Sequence, residues 1–136
     1  MQSELIYNRD KAKQLLAFDG MQYGLCRPTD IDLSMDYKGN VFVFGELKEG
    51  RKMLTTGQKI HLRYLCDAIA NGGTNVVAFL AHHTEKDSEN DVRVADAVVY
   101  MYYTGDGTGK WKIIEEQRTS VDAFIQQTVK EKGAKK

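Results

Sequence analysis

The chain has 136 residues, of which 28% are charged, and its 19 basic and 19 acidic side chains cancel to a formal net charge of zero. This length predicts one domain with a sizeable core, and the charge balance excludes a global field that would hold nucleic acid. Neither a signal-peptide pattern nor an apolar run long enough to cross a bilayer occurs, so we expect a cytoplasmic protein without membrane contact.

Hydrophobic periodicity predicts an α/β fold in which helices alternate with the strands of a mixed sheet. The segments 41–44 and 75–82, the second apolar from Val76 to Ala81, are typical of interior strands that are covered on both faces. In chain order the predicted elements are a helix over about 5–18, a weak strand over 21–26, strands over 31–37 and 41–48, a helix over about 57–71, a strand over 75–82, strands over 92–103 and 111–116 that form a hairpin, and a helix over 120–132.

The first predicted hairpin, formed by the strands over 31–37 and 41–48, carries the side chains with the most chemical content. Residues 38–40 read as its turn, and a three-residue loop fixes which residues oppose each other. A two-residue loop at 39–40 would shift the register by one and send the aspartates to the other face. The pairs predicted by the three-residue loop are Tyr37 with Val41, Asp32 with Glu46, and Asp30 with Lys48.

Two carboxylates that oppose each other across a hairpin repel, which is reasonable if a divalent cation lies between them. Mg²⁺ and Mn²⁺ prefer carboxylate, carbonyl and water oxygens, and a lysine nearby is a compact charge for a phosphate. Asp32, Glu46 and Lys48 are therefore the residue types that metal-dependent phosphodiester cleavage requires. The alternative is that the aspartates line the wet face of an amphipathic strand and that Glu46 and Lys48 form an ordinary ion pair.

The spacing Asp32-x(13)-Glu46-x-Lys48 on a strand–turn–strand–helix order, with Gln58 near the helix start, resembles the PD-(D/E)xK nuclease superfamily. Its Holliday junction resolvase-like and VRR-NUC-like branches look most similar. The resemblance implies a restriction-endonuclease-like α-β-β-β-α-β core over about residues 1–82 of a single domain, with a hairpin and a helix appended over about 92–132. It also implies that Asp32, Glu46 and the Leu47 carbonyl bind Mg²⁺ or Mn²⁺, and that Lys48 orients or activates water.

The chain departs from the superfamily pattern in that Ile31, rather than proline, precedes Asp32. Asp30 therefore stays open as the alternative metal ligand, and Glu4 is the candidate for the acidic residue that resolvase-like relatives carry on the first helix. The implied activity is a metal-dependent nuclease acting on DNA, with a homo-oligomer such as a homodimer supplying specificity. The alternative is a nuclease-fold nucleic-acid-binding or accessory protein with little or no activity, because fold does not fix function.

Gln58 and the cations around it each have two interpretations. Thr55 and Gln58 have the spacing of a capping box, in which each satisfies a backbone N–H of the other. The resemblance instead implies that Gln58 supports the catalytic site. A local basic cluster beside the proposed metal would neutralise a few phosphates, although a solvated helix face explains it equally well. The members of this predicted nucleic-acid-binding cluster are Arg51, Lys52, Lys59 and Arg63.

The remaining reactive and aromatic residues lack a motif of their own. The spacing of Cys26 and Cys66 is not that of a metal or redox motif, and both residues have apolar neighbours. This predicts buried free thiols in a reducing compartment. His82-His83 has no third ligand in sequence, so we expect no zinc site there. The aromatic residues of the appended hairpin either stack on bases or form its packing face; they are Tyr100, Tyr102, Tyr103 and Trp111.

Overall fold

The computed structural model describes residues 17–87 and 90–134, and the chain divides into two compact units, Met1–Asp30 and Ile31–Lys136. In the described part of the first unit, Tyr23 and Cys26 bond each other's backbone in both directions, at 2.8 and 3.0 Å. Gly24 between them has φ +65, a conformation that glycine adopts at little cost. The weak strand predicted over 21–26 is wrong, because this segment reverses direction in a two-residue turn.

The first predicted helix falls almost entirely outside the described residues. Of its span over about 5–18, the structure describes Ala17 and Phe18, and neither is helical. Glu4, the additional acidic candidate, also lies outside the described residues.

The second unit is built on a five-stranded mixed sheet with a helix on each face. Its helices are α1 (Thr56–Asn71) and α2 (Val121–Lys132), and its strands, in sheet order, are β1 (Leu33–Tyr37), β2 (Val41–Glu49), β3 (Asn75–His83), β4 (Val98–Tyr103) and β5 (Lys112–Ile113). β2 and β3 are parallel, while the other neighbouring strands pair antiparallel. Parallel neighbours need a crossover, which α1 supplies. The α/β class with a central mixed sheet is confirmed.

Each face of the sheet carries its own hydrophobic layer, because alternate residues of a strand point to opposite sides. The layer beneath α1 is formed by Phe44, Leu62, Cys66, Val76, Ala78 and Tyr103. The layer beneath α2 is formed by Val43, Val77, Phe79, Ala81, Ala97, Val99 and Val121. β2 and β3 contribute to both layers, so the interior position predicted for these two strands is confirmed.

The hairpin has the register predicted for a three-residue loop. Tyr37 is paired with Val41, and the ladder continues to Leu33 and Gly45. Lys38 and Gly39 both have positive φ, and the Asn40 N–H donates to the Tyr37 carbonyl at 2.9 Å, which closes a tight turn. The aspartates of β1 therefore keep the face that the three-residue loop assigns to them.

The C-terminal elements are shorter than their sequence pattern predicts. In place of the first part of the strand over 92–103, the chain forms a 3₁₀ turn at Val94–Asp96, and β4 begins only at Val98. The Arg93 side chain bonds Asp96 within this turn at 2.9 Å, a local contact that alternation of apolar residues does not reveal. The strand predicted over 111–116 is reduced to the two residues of β5. The helices predicted over 57–71 and 120–132 are confirmed to within one residue.

Candidate active site at the end of the hairpin

The Asp32 carboxylate is directed onto β2 by a backbone hydrogen bond. Asp32 immediately precedes Leu33, the first paired residue of β1, and its Oδ2 accepts the N–H of Leu47 at 2.8 Å. Its side chain is exposed, whereas Asp30 belongs to the first compact unit. Asp32 is therefore held beside residues 46–48 of β2. We call the group Asp32, Glu46, Leu47 and Lys48 the hairpin end.

Glu46 is the buried acid of the hairpin end. It is 2% exposed, and it points to the α1 side of the sheet with Phe42 and Phe44. Its neighbour across the parallel pair is Leu80, which is fully buried. A carboxylate in such surroundings is expensive to keep charged unless it is paired or coordinated. A charged carboxylate at this position therefore needs an interaction that offsets its desolvation.

Gly45 allows a phenylalanine to cross β2 immediately before Glu46. A Cβ atom at Gly45 would lie 2.3 Å from Cζ of Phe79, which is the paired residue on β3. The Phe79 ring in turn meets Phe124 of α2 edge-on, with ring centroids 5.6 Å apart. The missing side chain thus lets α2 pack against the sheet directly behind the buried acid.

Lys48 shares its strand end with a histidine that sequence reasoning did not assign to the site. Lys48 is paired with His82 on β3, and both side chains are half-buried. The His82 Nε2 lies 2.8 Å from the Lys52 carbonyl, and its ring lies 5.2 Å from the ring of Tyr100. The Gly50 N–H also donates to the His83 carbonyl at 2.8 Å. These contacts fasten the loop that carries the cations to the same edge of the sheet as Lys48.

Gln58 forms the capping box of α1. The Thr55 hydroxyl accepts the Gln58 N–H at 3.1 Å, and the Gln58 Oε1 accepts the Thr55 N–H at 3.0 Å. The first turn of α1 contains no acidic residue, so the positive end of the helix dipole is not neutralised locally. Gln58 therefore fixes where α1 starts, as its interpretation as a capping-box residue predicts.

The predicted basic cluster divides into two groups. Arg51, Lys52 and Lys59 are exposed. Arg63 is instead engaged within the protein although its side chain is 42% exposed: its Nε lies 3.5 Å from Asp67 Oδ2, and its Nη2 donates to the Gly107 carbonyl at 3.1 Å. The structure therefore leaves three of the four cations available to a ligand and uses the fourth to hold a loop.

Asp67 is the centre of this second polar group. Its Oδ1 accepts the Tyr103 hydroxyl at 2.5 Å and the Gly107 N–H at 3.2 Å, and the same hydroxyl accepts the Gly109 N–H at 3.1 Å. Tyr103 is 1% exposed and stacks on Trp111. Tyr103 therefore packs inside the fold, as the packing interpretation of the hairpin aromatics predicts. Asp67 ties the glycine-rich loop over residues 104–110 to α1.

The two cysteines differ in environment. Cys66 is fully buried, and this burial, with a smaller contribution from the neighbouring Asp67, raises the pKa of its thiol to about 12. Burial, followed by the hydrogen bond to Asp67, also raises the pKa of Tyr103. Cys26 is exposed, so the prediction of a buried thiol is confirmed for Cys66 and wrong for Cys26. Its apolar neighbours belong to an exposed turn instead of a strand.

The hairpin end has donors that suit a hard cation. Among the described residues, no three side chains of His, Cys, Asp or Glu form a ready-made metal cage. Asp32 and Glu46 offer two carboxylates, and the Leu47 carbonyl is the third oxygen that the motif implies. Two carboxylates with the remaining positions left to water is a donor set that Mg²⁺ commonly accepts, because this ion retains several of its waters.

Comparison with known proteins identifies no relative from which a function could be inferred. Neither a family model, nor a curated protein, nor a solved structure matches the chain. In the described part of the chain, no helix combines the length and the apolar character needed to cross a bilayer.

Proposed function

We propose that this protein is a metal-dependent nuclease of the PD-(D/E)xK type that hydrolyses phosphodiester bonds in DNA, with the hairpin end as its catalytic centre. One observation carries the proposal: the hairpin register, together with the 2.8 Å bond from the Leu47 N–H to Asp32, holds an exposed carboxylate beside the buried Glu46 and the following Lys48. The same bond favours Asp32 over Asp30 as the metal ligand.

Each residue of the hairpin end has a distinct proposed role. Asp32, Glu46 and the Leu47 carbonyl would hold Mg²⁺ or Mn²⁺, which when bound lowers the pKa of water and neutralises phosphate charge. Lys48 supplies a point charge that faces the phosphate without competing for the metal, because an ammonium has no lone pair to offer. The three exposed cations of the adjoining loop and helix neutralise flanking phosphates, so DNA binding should weaken as salt rises.

The proposal is tested by cleavage of linear, nicked, branched and single-stranded DNA in Mg²⁺ or Mn²⁺. Wild type is compared with Lys48→Ala and with Glu46→Gln, which keeps the size of the buried side chain. We expect cutting that requires the metal and is lost in both variants. If both variants cut as fast as wild type, the hairpin end is not catalytic; circular dichroism of each variant separates lost chemistry from lost fold.

A nucleic-acid-binding or accessory role without cleavage is the second candidate. It is favoured by the capping-box bonds of Gln58, which give this side chain a structural role at the start of α1. On this account DNA binds with the expected salt dependence, but no member of the panel is cut with either metal. Binding and cleavage measured on the same panel distinguish the two candidates.

A further inference from the structure

The outer face of α1 exposes two large apolar side chains one turn apart. Tyr64 is 67% exposed and Ile60 is 47% exposed, while Leu62 and Cys66 on the inner face are buried. Residues four apart on a helix are neighbours, so Ile60 and Tyr64 form one continuous apolar strip. We use the name α1 outer face for this strip together with three exposed cations, which are Lys59 on the same helix and Arg51 and Lys52 in the loop before it.

The charge of this region is strongly one-sided although the chain as a whole is neutral. Between Lys48 and Asn71 there are five basic and two acidic residues. The acid within α1 is Asp67, which is bonded to Tyr103, Gly107 and Arg63. Within the described residues, the three exposed cations make no ion pair. The α1 outer face is therefore complementary to an anionic partner.

The loop that precedes α1 connects this face to the hairpin end. The contacts of His82 with the Lys52 carbonyl and of His83 with the Gly50 N–H, both 2.8 Å, attach the loop to the end of β3 beside Lys48. A strand bound along the α1 outer face would thus continue toward the proposed catalytic centre.

We propose that the α1 outer face binds an unpaired nucleic-acid strand, with a base stacked on Tyr64. This inference rests on the proposed function and specifies its substrate as DNA with a single-stranded segment. Base stacking requires an exposed aromatic ring, and the sugar–phosphate chain requires cations beside it. A second copy is a poorer occupant, because a two-fold pair of these faces would bring their exposed cations, Arg51, Lys52 and Lys59, near like charges.

The test is fluorescence anisotropy with a labelled oligothymidylate and a blunt duplex of the same length, in EDTA so that neither is cut. We expect Tyr64→Ala to weaken single-strand binding by about tenfold, with little change for the duplex, and Tyr64→Phe to restore it. Tyr23→Ala is the matched control for the loss of an exposed tyrosine, because Tyr23 is 64% exposed and is not part of α1. It should bind like wild type.

Three results would overturn the inference. They are unchanged single-strand binding by Tyr64→Ala, an equal loss in Tyr23→Ala, and a dimer that Tyr64→Ala dissociates without altering oligonucleotide binding. If cleavage requires the metal and Lys48 while Tyr64→Ala binds the single strand like wild type, only this inference is defeated. A Tyr64 effect on binding without any cleavage defeats only the nuclease proposal.

Discussion

Glu46 is a buried carboxylate in a tightly packed part of β2. The carboxylate is 2% exposed, and the preceding residue is a glycine because the Phe79 ring occupies the space of a side chain. Coordination of a cation is one way to offset the desolvation of such a carboxylate. The alternation of residues along β2 indicates the face of Glu46, whereas the need for glycine at position 45 depends on a ring from another strand. That contact could not be read from the sequence.

Replacing Gly45 with alanine should destabilise the fold. The new Cβ would meet the Phe79 ring at 2.3 Å, and overpacking of this kind typically costs about 1–3 kcal/mol. Gly57→Ala is the control, because nothing lies within 4 Å of the Cβ it would add. Urea unfolding measures both variants. Equal stability of the two would contradict the packing described around Phe79.

The two thiols should differ sharply in reactivity. The thiolate is the reacting form, and at mildly alkaline pH a thiol whose pKa is raised to about 12 is almost wholly protonated as well as buried. Iodoacetamide should therefore modify Cys26 in the native protein and Cys66 only after unfolding. Mass spectrometry of the labelled peptides reports the site. Fast native labelling in a Cys26→Ser variant would show that Cys66 is accessible.

At the scale of elements, local patterns correctly predicted α1, α2 and the hairpin of β1 and β2. The capping box predicts the start of α1, and the three-residue loop predicts the pairing of Tyr37 with Val41. Contacts distant in sequence were not predictable. The tie between Asp67 and Tyr103 joins residues 36 apart, and the attachment of the Lys52 carbonyl to His82 joins residues 30 apart. Because sequence patterns describe one element at a time, they did not reveal the contacts of Arg63 with Asp67 and Gly107.

Removal of the Tyr103 hydroxyl should loosen the glycine-rich loop. Tyr103→Phe keeps the ring on Trp111 but deprives Asp67 and the Gly109 N–H of a partner, a loss that typically costs about 1–3 kcal/mol. The folded-state pKa of Tyr103 is raised, so its contribution is complete below the unfolded value of about 10 and is lost as pH rises through the folded value.

The stability difference between wild type and Tyr103→Phe should therefore be largest at neutral pH and shrink in strongly alkaline solution. Chemical unfolding over a pH series measures it. A difference that is constant with pH would contradict the role given to the hydroxyl.

For the whole molecule, sequence reasoning established the α/β class and the central place of β2 and β3. It did not identify the turn at Tyr23–Cys26 or the short β5, because both depend on the conformation of a few residues instead of on periodicity. The nuclease type, the DNA substrate and the homo-oligomer stay predictions. Sedimentation equilibrium tests the last of them through the mass of the protein in solution.

A divalent cation should stabilise the folded protein if the hairpin end binds it. A ligand present at ten times its dissociation constant contributes about 1.4 kcal/mol, which raises Tm by about 3–6 °C for a chain of this size. We expect this rise with Mn²⁺ in wild type and in Asp36→Asn, and its loss in Glu46→Gln. Differential scanning fluorimetry measures all three. A rise retained by Glu46→Gln would place the cation elsewhere.

The central claim is tested most directly by the Mn²⁺-dependent cleavage rates of Asp32→Asn and Asp36→Asn. Both aspartates are exposed on β1 or just before it, and each accepts one backbone N–H at 2.8 Å, from Leu47 and from Gly39 respectively. Only Asp32 lies at the hairpin end. The account predicts a rate at least about 100-fold below wild type for Asp32→Asn and a wild-type rate for Asp36→Asn. Equal rates for the two variants would contradict it.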